Sequence, residues 1–260
     1  MKLESRKKVQ VKSCQFGGKQ YFVFASIAPG SRAELESQIA AACQSGIDAL
    51  EIIINQYDML PQFCSDLQQC SFGDIPISLR LQQTGAVQQV DKTLALQVLV
   101  DCAQCGVADI IDLEPVDSQW IDKIKQALAS CDVRLMLTLQ DYHGVSDTAQ
   151  IITAAEALET MGAELIRVLY LAADDVDMLH IAQAARQAKE ENRLEVPFCI
   201  SAIGDAGLMV RLFGERCGND FGSYPLYRDG DSYAFETLEE YKQLRRIYEI
   251  DDRYQSCTAR

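Results

Sequence analysis

From Tyr21 to Tyr248 this chain alternates short apolar runs with longer amphipathic stretches, and the alternation returns about every 25–30 residues. The runs are Tyr21–Ile27, Ala49–Ile54, Ile77–Leu81, Asp109–Leu113, Arg134–Leu139, Leu165–Leu171, Pro197–Ser201 and Phe221–Leu226. Each is too short for a stable helix and apolar enough to be a strand covered on both faces. Strands of that kind pair in parallel, and parallel neighbours need a crossover of a dozen or more residues, which the amphipathic stretches supply. Eight such units favour a closed barrel over an open sheet, so the pattern predicts an α/β fold, a single (β/α)8 TIM barrel.

Local signals agree with that reading. Ser31-x-x-Glu34 reads as a capping box, and Asp117, Asp147 and Asp174 read as N-caps ahead of apolar-periodic stretches. Gly46, Gly106 and Gly162 each follow a helical stretch and precede an apolar run, where a left-handed C-cap is expected. Residues 1–19, ending in Gly17-Gly18, form an N-terminal segment able to pair as a small hairpin over one barrel mouth. Residues 20–249 make the barrel, and residues 250–260 read as a polar tail.

At 260 residues and 48% apolar content, the chain can bury one sizeable core, and one domain is the simpler reading. A net charge of −14 argues against nucleic acid or an anionic membrane surface as partner, since either needs a basic footprint. The only basic stretch, Lys2 to Lys12, reads as a solvated tail. No apolar run reaches the ~18 residues of a membrane span. No apolar signal core stands at the N-terminus, which places the chain in the cytoplasm, where thiols stay reduced. The ten cysteines are therefore read as small buried hydrophobes. Cys102-Ala-Gln-Cys105 has redox or zinc spacing but no second pair to complete four ligands, so it too reads as structural.

In such a barrel, functional groups sit at the C-terminal strand ends on inward positions, which alternate along each strand. One parity sends Leu50, Ile52, Ile111, Leu113, Leu139, Ile166 and Val168 toward the helices. It turns Ser26, Glu51, Ile53, Asn55, Arg80, Gln82, Asp112, Glu114, Gln140 and Arg167 inward, with Arg211 in the segment after the seventh run. Buried charges persist only when paired and hydrogen-bonded. Arg80 and Arg167 beside Glu51, Asp112 and Glu114 thus read in two ways: an internal salt-bridge network that seals the cavity, or an anion site in which Arg167 and Arg211 clamp a carboxylate or phosphate. A metal at Asp112/Glu114 lacks a histidine or third carboxylate, so none is expected.

Four segments carry a family resemblance in register with the strand pattern. Ile47-Asp48-Ala49-Leu50-Glu51, Ile110-Ile111-Asp112-Leu113-Glu114, Gln140-Asp141-Tyr142-His143 and Gly207-Leu208-Met209-Val210-Arg211-Leu212-Phe213-Gly214 resemble motifs of the type I 3-dehydroquinate dehydratases. These are carbon–oxygen lyases of the shikimate pathway, in aromatic amino acid biosynthesis, that convert 3-dehydroquinate to 3-dehydroshikimate. The resemblance implies a lysine in the sixth run that forms an imine with the substrate ketone, a histidine in the fifth that moves the proton, and no cofactor.

This chain departs from that pattern at both positions. Arg167 stands where the family has the lysine, and Gln140 where it has the histidine. A guanidinium stays protonated and non-nucleophilic, and an amide does not titrate near neutral pH. The ten lysines, at 2, 7, 8, 12, 19, 92, 123, 125, 189 and 242, fall on the N-terminal segment and on amphipathic stretches. His143 matches the second histidine of the family motif and reads as a loop residue; His180 lies in a helix-like stretch. Ile53 and Gln82 stand where the family has substrate-binding arginines, and Gly230-Asp231-Ser232-Tyr233 does not align with its glycine-glutamine pair. Glu51, Asp112, Glu114, Arg211 and Ser26 carry over.

The expectation is a homologue of these dehydratases whose own reaction is lost or severely impaired, acting as a small-anion-binding or regulatory pseudoenzyme. An enzyme of altered chemistry on a small carboxylate, with Glu51, Glu114 or His143 as base, is the alternative. An active dehydratase would need a different lysine near the sixth run, and none is close. The ligand would be a small carboxylate or phosphate, and the acidic surface permits a homodimer without demanding one.

Overall fold

The structure is a computed structural model that describes residues 4–54, 60–81, 92–115, 118–145, 147–228 and 236–248. It begins with an antiparallel hairpin, β1 (Val9–Val11) and β2 (Cys14–Phe16), with Val9 opposite Phe16. Eight parallel strands follow: β3 (Phe22–Ile27), β4 (Ala49–Ile54), β5 (Ile77–Leu81), β6 (Ile110–Leu113), β7 (Arg134–Asp141), β8 (Leu165–Leu171), β9 (Phe198–Ile203) and β10 (Phe221–Pro225). Their spatial order, β10-β3-β4-β5-β6-β7-β8-β9, is that of a (β/α)8 barrel. The crossovers are α1 (Arg32–Gln44), α2 (Leu60–Gln68), α3 (Lys92–Gln104), α4 (Ser118–Leu128), α5 (Thr148–Thr160) and α6 (Asp175–Glu190). Two short helices, α7 (Leu208–Leu212) and α8 (Gly214–Cys217), precede β10, and α9 (Leu238–Ile247) follows it. Among the described residues no helix is long and apolar enough to cross a membrane.

The inward and outward parity is as the sequence predicts. Leu50, Ile52, Ile111, Leu113, Ile166 and Val168 join the core between strands and helices, and Leu139 packs against it. On α4, Trp120, Ile121, Ile124 and Leu128 share the buried face, the spacing that brings residues three and four apart onto one side of a helix. The Asp147 and Asp174 side chains accept backbone N–H bonds at the starts of α5 and α6, as N-caps. Asp117 lies outside the described residues. At α1 the predicted box is only half made: Ser31 Oγ accepts from Glu34 N at 3.3 Å, but the Glu34 carboxylate reaches one residue too far back, to Gly30 N at 2.7 Å. The complete box stands at α9, between Thr237 and Glu240. Gly46, Gly106 and Gly162 hold φ values of 64°, 69° and 90°, the left-handed conformation expected of helix C-caps.

The hairpin covers the N-terminal mouth of the barrel. Phe16 is fully buried against Phe22, Phe24 and Phe221, with ring centroids 4.6, 5.7 and 6.0 Å away. Ala49, Ile110, Met136 and Leu165 complete this apolar floor. Burying one such aromatic side chain contributes about 2–3 kcal/mol.

At the seam between β9 and β10, side chains take the place of a strand ladder. Asn219 Oδ1 accepts from Ile200 N at 2.8 Å while its Nδ2 donates to Ile200 O at 2.9 Å, the two-bond exchange that a neighbouring peptide would make. Asp220 N donates to Phe198 O at 2.9 Å, and Asp220 Oδ2 accepts from Phe198 N at 3.0 Å. The buried Lys189 ammonium holds both Asp220 oxygens at 2.7 Å and Ser5 Oγ at 2.8 Å, which ties the N-terminal segment to the seam.

Candidate functional site at the C-terminal mouth

Above the apolar floor, the inward positions turn polar. Glu51 on β4, Asp112 on β6 and Arg167 on β8 come from alternate strands and so meet in one layer of the barrel interior. All three are at most 2% exposed. Arg167 Nη2 donates to both Glu51 Oε1 and Asp112 Oδ2. Arg167 Nε donates to Thr138 Oγ1 at 3.0 Å, and the Thr138 hydroxyl passes on to Asp112 Oδ1 at 2.6 Å. The far oxygen of Glu51 accepts from Ser26 Oγ at 2.6 Å and from Ser223 Oγ at 3.0 Å. One cation is thus wedged between two carboxylates, and four carboxylate oxygens are all engaged.

Burial and charge compete at each group. Burial raises the Glu51 carboxyl, but Arg167 and Arg80 outweigh it and hold the group at about 2. At Asp112 burial prevails over the same two cations and pushes the carboxyl up. Burial works against the Arg167 charge, yet Glu51 and Asp112 hold its proton more firmly than usual. Arg167 is therefore a permanent cation bound in place.

Over this layer opens a cavity of about 630 Å³, inside the range of small-ligand sites. Its walls include Ser26, Glu51, Ile53, Arg80, Gln140, Tyr142, Arg167, Cys199, Ser201, Arg211 and Ser223. No lysine and no histidine is among its described lining residues. Cys199 is its one thiol there, and burial pushes it up to about 12, so it stays protonated and inert.

Of the residues singled out in the sequence, Ser26, Glu51, Gln140, Arg167 and Arg211 line this cavity, with Asp112 directly beneath. Glu114 is buried beside Arg80, whose Nη2 lies 3.9 Å from its Oε1. His143 is exposed on the loop after β7, its backbone N–H donating to Asp141 Oδ1 at 2.8 Å. Gln82 and Asn55 lie outside the described residues, as does the Gly230 to Tyr233 segment. Arg211 Nε and Nη2 each hold a Glu236 oxygen at 2.7 Å, while Nη1 donates to the carbonyls of Ala202 and Gly204 at 2.9 and 2.8 Å. One expectation needs correction: the salt-bridge network around Arg167 exists, but it floors the cavity instead of sealing it. Thr138, Ser223 and Tyr142 were missed. The period-two parity that selects Gln140 also selects Thr138, so that one was within reach.

A family model, that of type I 3-dehydroquinase, matches residues 23–254. The chain belongs to that family. It is 21% identical over 223 residues to a 3-dehydroquinate dehydratase of Geobacillus sp. strain WCH70, covering 83% of this chain and 85% of the relative. To the 3-dehydroquinate dehydratase of Aromatoleum aromaticum it is 23% identical over 246 residues, covering 90% and 91%. The type I 3-dehydroquinate dehydratase of Clostridium difficile, solved with covalently modified comenic acid, shares the fold with a TM-score of 0.84 at 15% identity, over 93% of this chain and 98% of that one. The Geobacillus kaustophilus structure gives a TM-score of 0.83 at 18% identity, over 95% and 98%.

Proposed function

We propose that this member of the type I 3-dehydroquinase family does not dehydrate 3-dehydroquinate through an imine, and that its cavity binds a small carboxylate as a pseudoenzyme. One observation carries the reading: the strand position that resemblance assigns to the imine-forming lysine holds Arg167, fixed between Glu51 and Asp112. A guanidinium has no lone pair to offer a carbonyl carbon at any pH at which the protein is folded. The position that resemblance assigns to the proton-transfer histidine holds Gln140, which removes a group worth roughly 10²–10⁴-fold in rate.

Two of the three candidate bases of the altered-chemistry alternative, Glu51 and His143, find little support in the geometry. Both Glu51 oxygens are engaged and its carboxyl is held low, which makes it a weak base. His143 stands out on the loop. The test is a dehydration assay on the purified chain with 3-dehydroquinate, following the absorbance of the conjugated product. No turnover above the uncatalysed rate is expected, and steady turnover would overturn the reading. The paired change Arg167→Lys with Gln140→His then asks whether the rest of the pocket still positions the substrate.

A further inference from the structure

Outside the barrel interior, three thiols meet where α2 packs beside α3. Phe63, Cys64 and Leu67 turn one face of α2 toward the core, and Val98, Leu99, Cys102 and Ala103 do the same on α3. Cys105 follows Cys102 by three residues, the spacing that keeps both on one side of a helix, and stands just before Gly106. The Cys64 thiol has those of Cys102 and Cys105 both within hydrogen-bonding reach. All three are free thiols, graded in exposure: Cys102 is buried, Cys64 half-buried and Cys105 exposed. The sequence alone gives Cys102-Ala-Gln-Cys105 no partner; the fold supplies one from the preceding helix.

Exposure and charge assign a part to each sulfur. Burial pushes the Cys102 thiol up, so it stays protonated and does not attack. Burial raises Cys64 as well, while hydrogen bonding with Cys102 favours its thiolate. Asp101, on the same turn as Cys102, adds negative charge that disfavours a thiolate at either position. A pair of thiols whose thiolates are not stabilised gains little from staying reduced, which favours its disulfide at equilibrium and makes its formation slow. Cys105 alone is open to a reagent from solvent.

We propose that Cys105 and Cys64 form a reversible disulfide that staples α2 to α3, with a small-molecule disulfide as the oxidant. The exposed Cys105 gives up its proton, attacks one sulfur of the oxidant and expels the other as a thiolate, which takes up a proton and leaves a mixed disulfide on Cys105. Cys64, deprotonated in turn, attacks the Cys105 sulfur and expels the second small thiol. Two protein thiols are oxidised, and one small disulfide is reduced to two thiols. The new bond closes a loop that contains β5, the strand that carries Arg80 into the cavity wall. Oxidation therefore ties down the run from α2 through β5 to α3, whatever the cavity binds.

Peptide mapping after alkylation tests this on the full chain, equilibrated under native conditions with oxidised glutathione. A cross-linked peptide joining Cys64 to Cys105 is expected as the main linkage, and it should vanish after dithiothreitol. In Cys64→Ser the glutathione adduct should stay on Cys105, because no thiol is placed to resolve it. The oxidised native chain should unfold at a higher urea concentration than the reduced one, and that shift should disappear in Cys64→Ser and in Cys105→Ser. Unreacted Cys64 and Cys105 thiols, a persistent adduct on Cys105 in the native chain, or a main linkage through any other pair overturns the proposal. So does an oxidised chain no more resistant to urea than the reduced one.

Discussion

The two ends of the barrel interior are made by the same strands and hold opposite chemistry. Along β3, Phe22 and Phe24 give way to Ser26; along β4, Ala49 gives way to Glu51; along β6, Ile110 to Asp112; along β8, Leu165 to Arg167. A step of two residues keeps each side chain inside, so the change of chemistry is a change of residue type alone. The floor is sealed by Phe16 from the hairpin and gains its stability from apolar burial. The mouth buries charges that cost free energy to desolvate and holds them only because each finds partners. What differs is tolerance: the floor can lose a contact and relax, whereas the mouth cannot lose one charge without stranding another.

Breaking the mouth should therefore have the largest effect. Arg167→Met leaves Glu51 and Asp112 buried without their cation and is expected to cost about 3–5 kcal/mol in urea unfolding. The triple change Arg167→Met, Glu51→Leu and Asp112→Leu should cost far less than that single change; an equal or larger cost would mean that the charges contribute net stability. At the floor, Phe16→Ala is expected to cost about 3 kcal/mol, with affinity for a small acid unchanged because the cavity lies at the other end.

A smaller effect separates the two ends by pH. Glu51 is held at about 2, below its ordinary 4.5, so its contribution is present above 4.5 and is lost as pH falls through about 2. Asp112 is raised and works in the opposite sense: its contribution is present below the ordinary 3.8 and is lost as pH rises through its folded value. Urea midpoints measured across this acid window should fall less steeply in Glu51→Gln than in the native chain, while Phe16→Ala keeps the native slope. The smallest effect is expected at His143, exposed on its loop: His143→Ala should stay within about 0.5 kcal/mol of native stability and leave acid binding unaltered.

Much of the scaffold was legible from periodicity. The runs Ala49–Ile54, Ile77–Leu81 and Leu165–Leu171 coincide with β4, β5 and β8, because strands buried on both faces leave an uninterrupted apolar signature. The inward parity was legible for the same reason. Partner choice was not. Nothing local in the sequence shows that Glu236, 25 residues on, returns to pair with Arg211. The Asn219-Asp220 seam was invisible because side chains there imitate a backbone ladder, which leaves no periodic trace. That Arg80 is paired in charge with Asp112 and Glu114 while its Nε and Nη2 make no hydrogen bond among the described residues follows from distances of 3.8 and 3.9 Å, which no spacing of residues encodes.

The central claim is that Arg167 is a structural cation where resemblance would place a nucleophile, and intact-mass spectrometry after borohydride treatment tests it directly. The purified chain, incubated with 3-dehydroquinate and then reduced, should keep its unmodified mass, because no lysine among the described lining residues can form the imine. A mass increase of one reduced ligand, mapped by peptide sequencing to any lysine, would contradict the account.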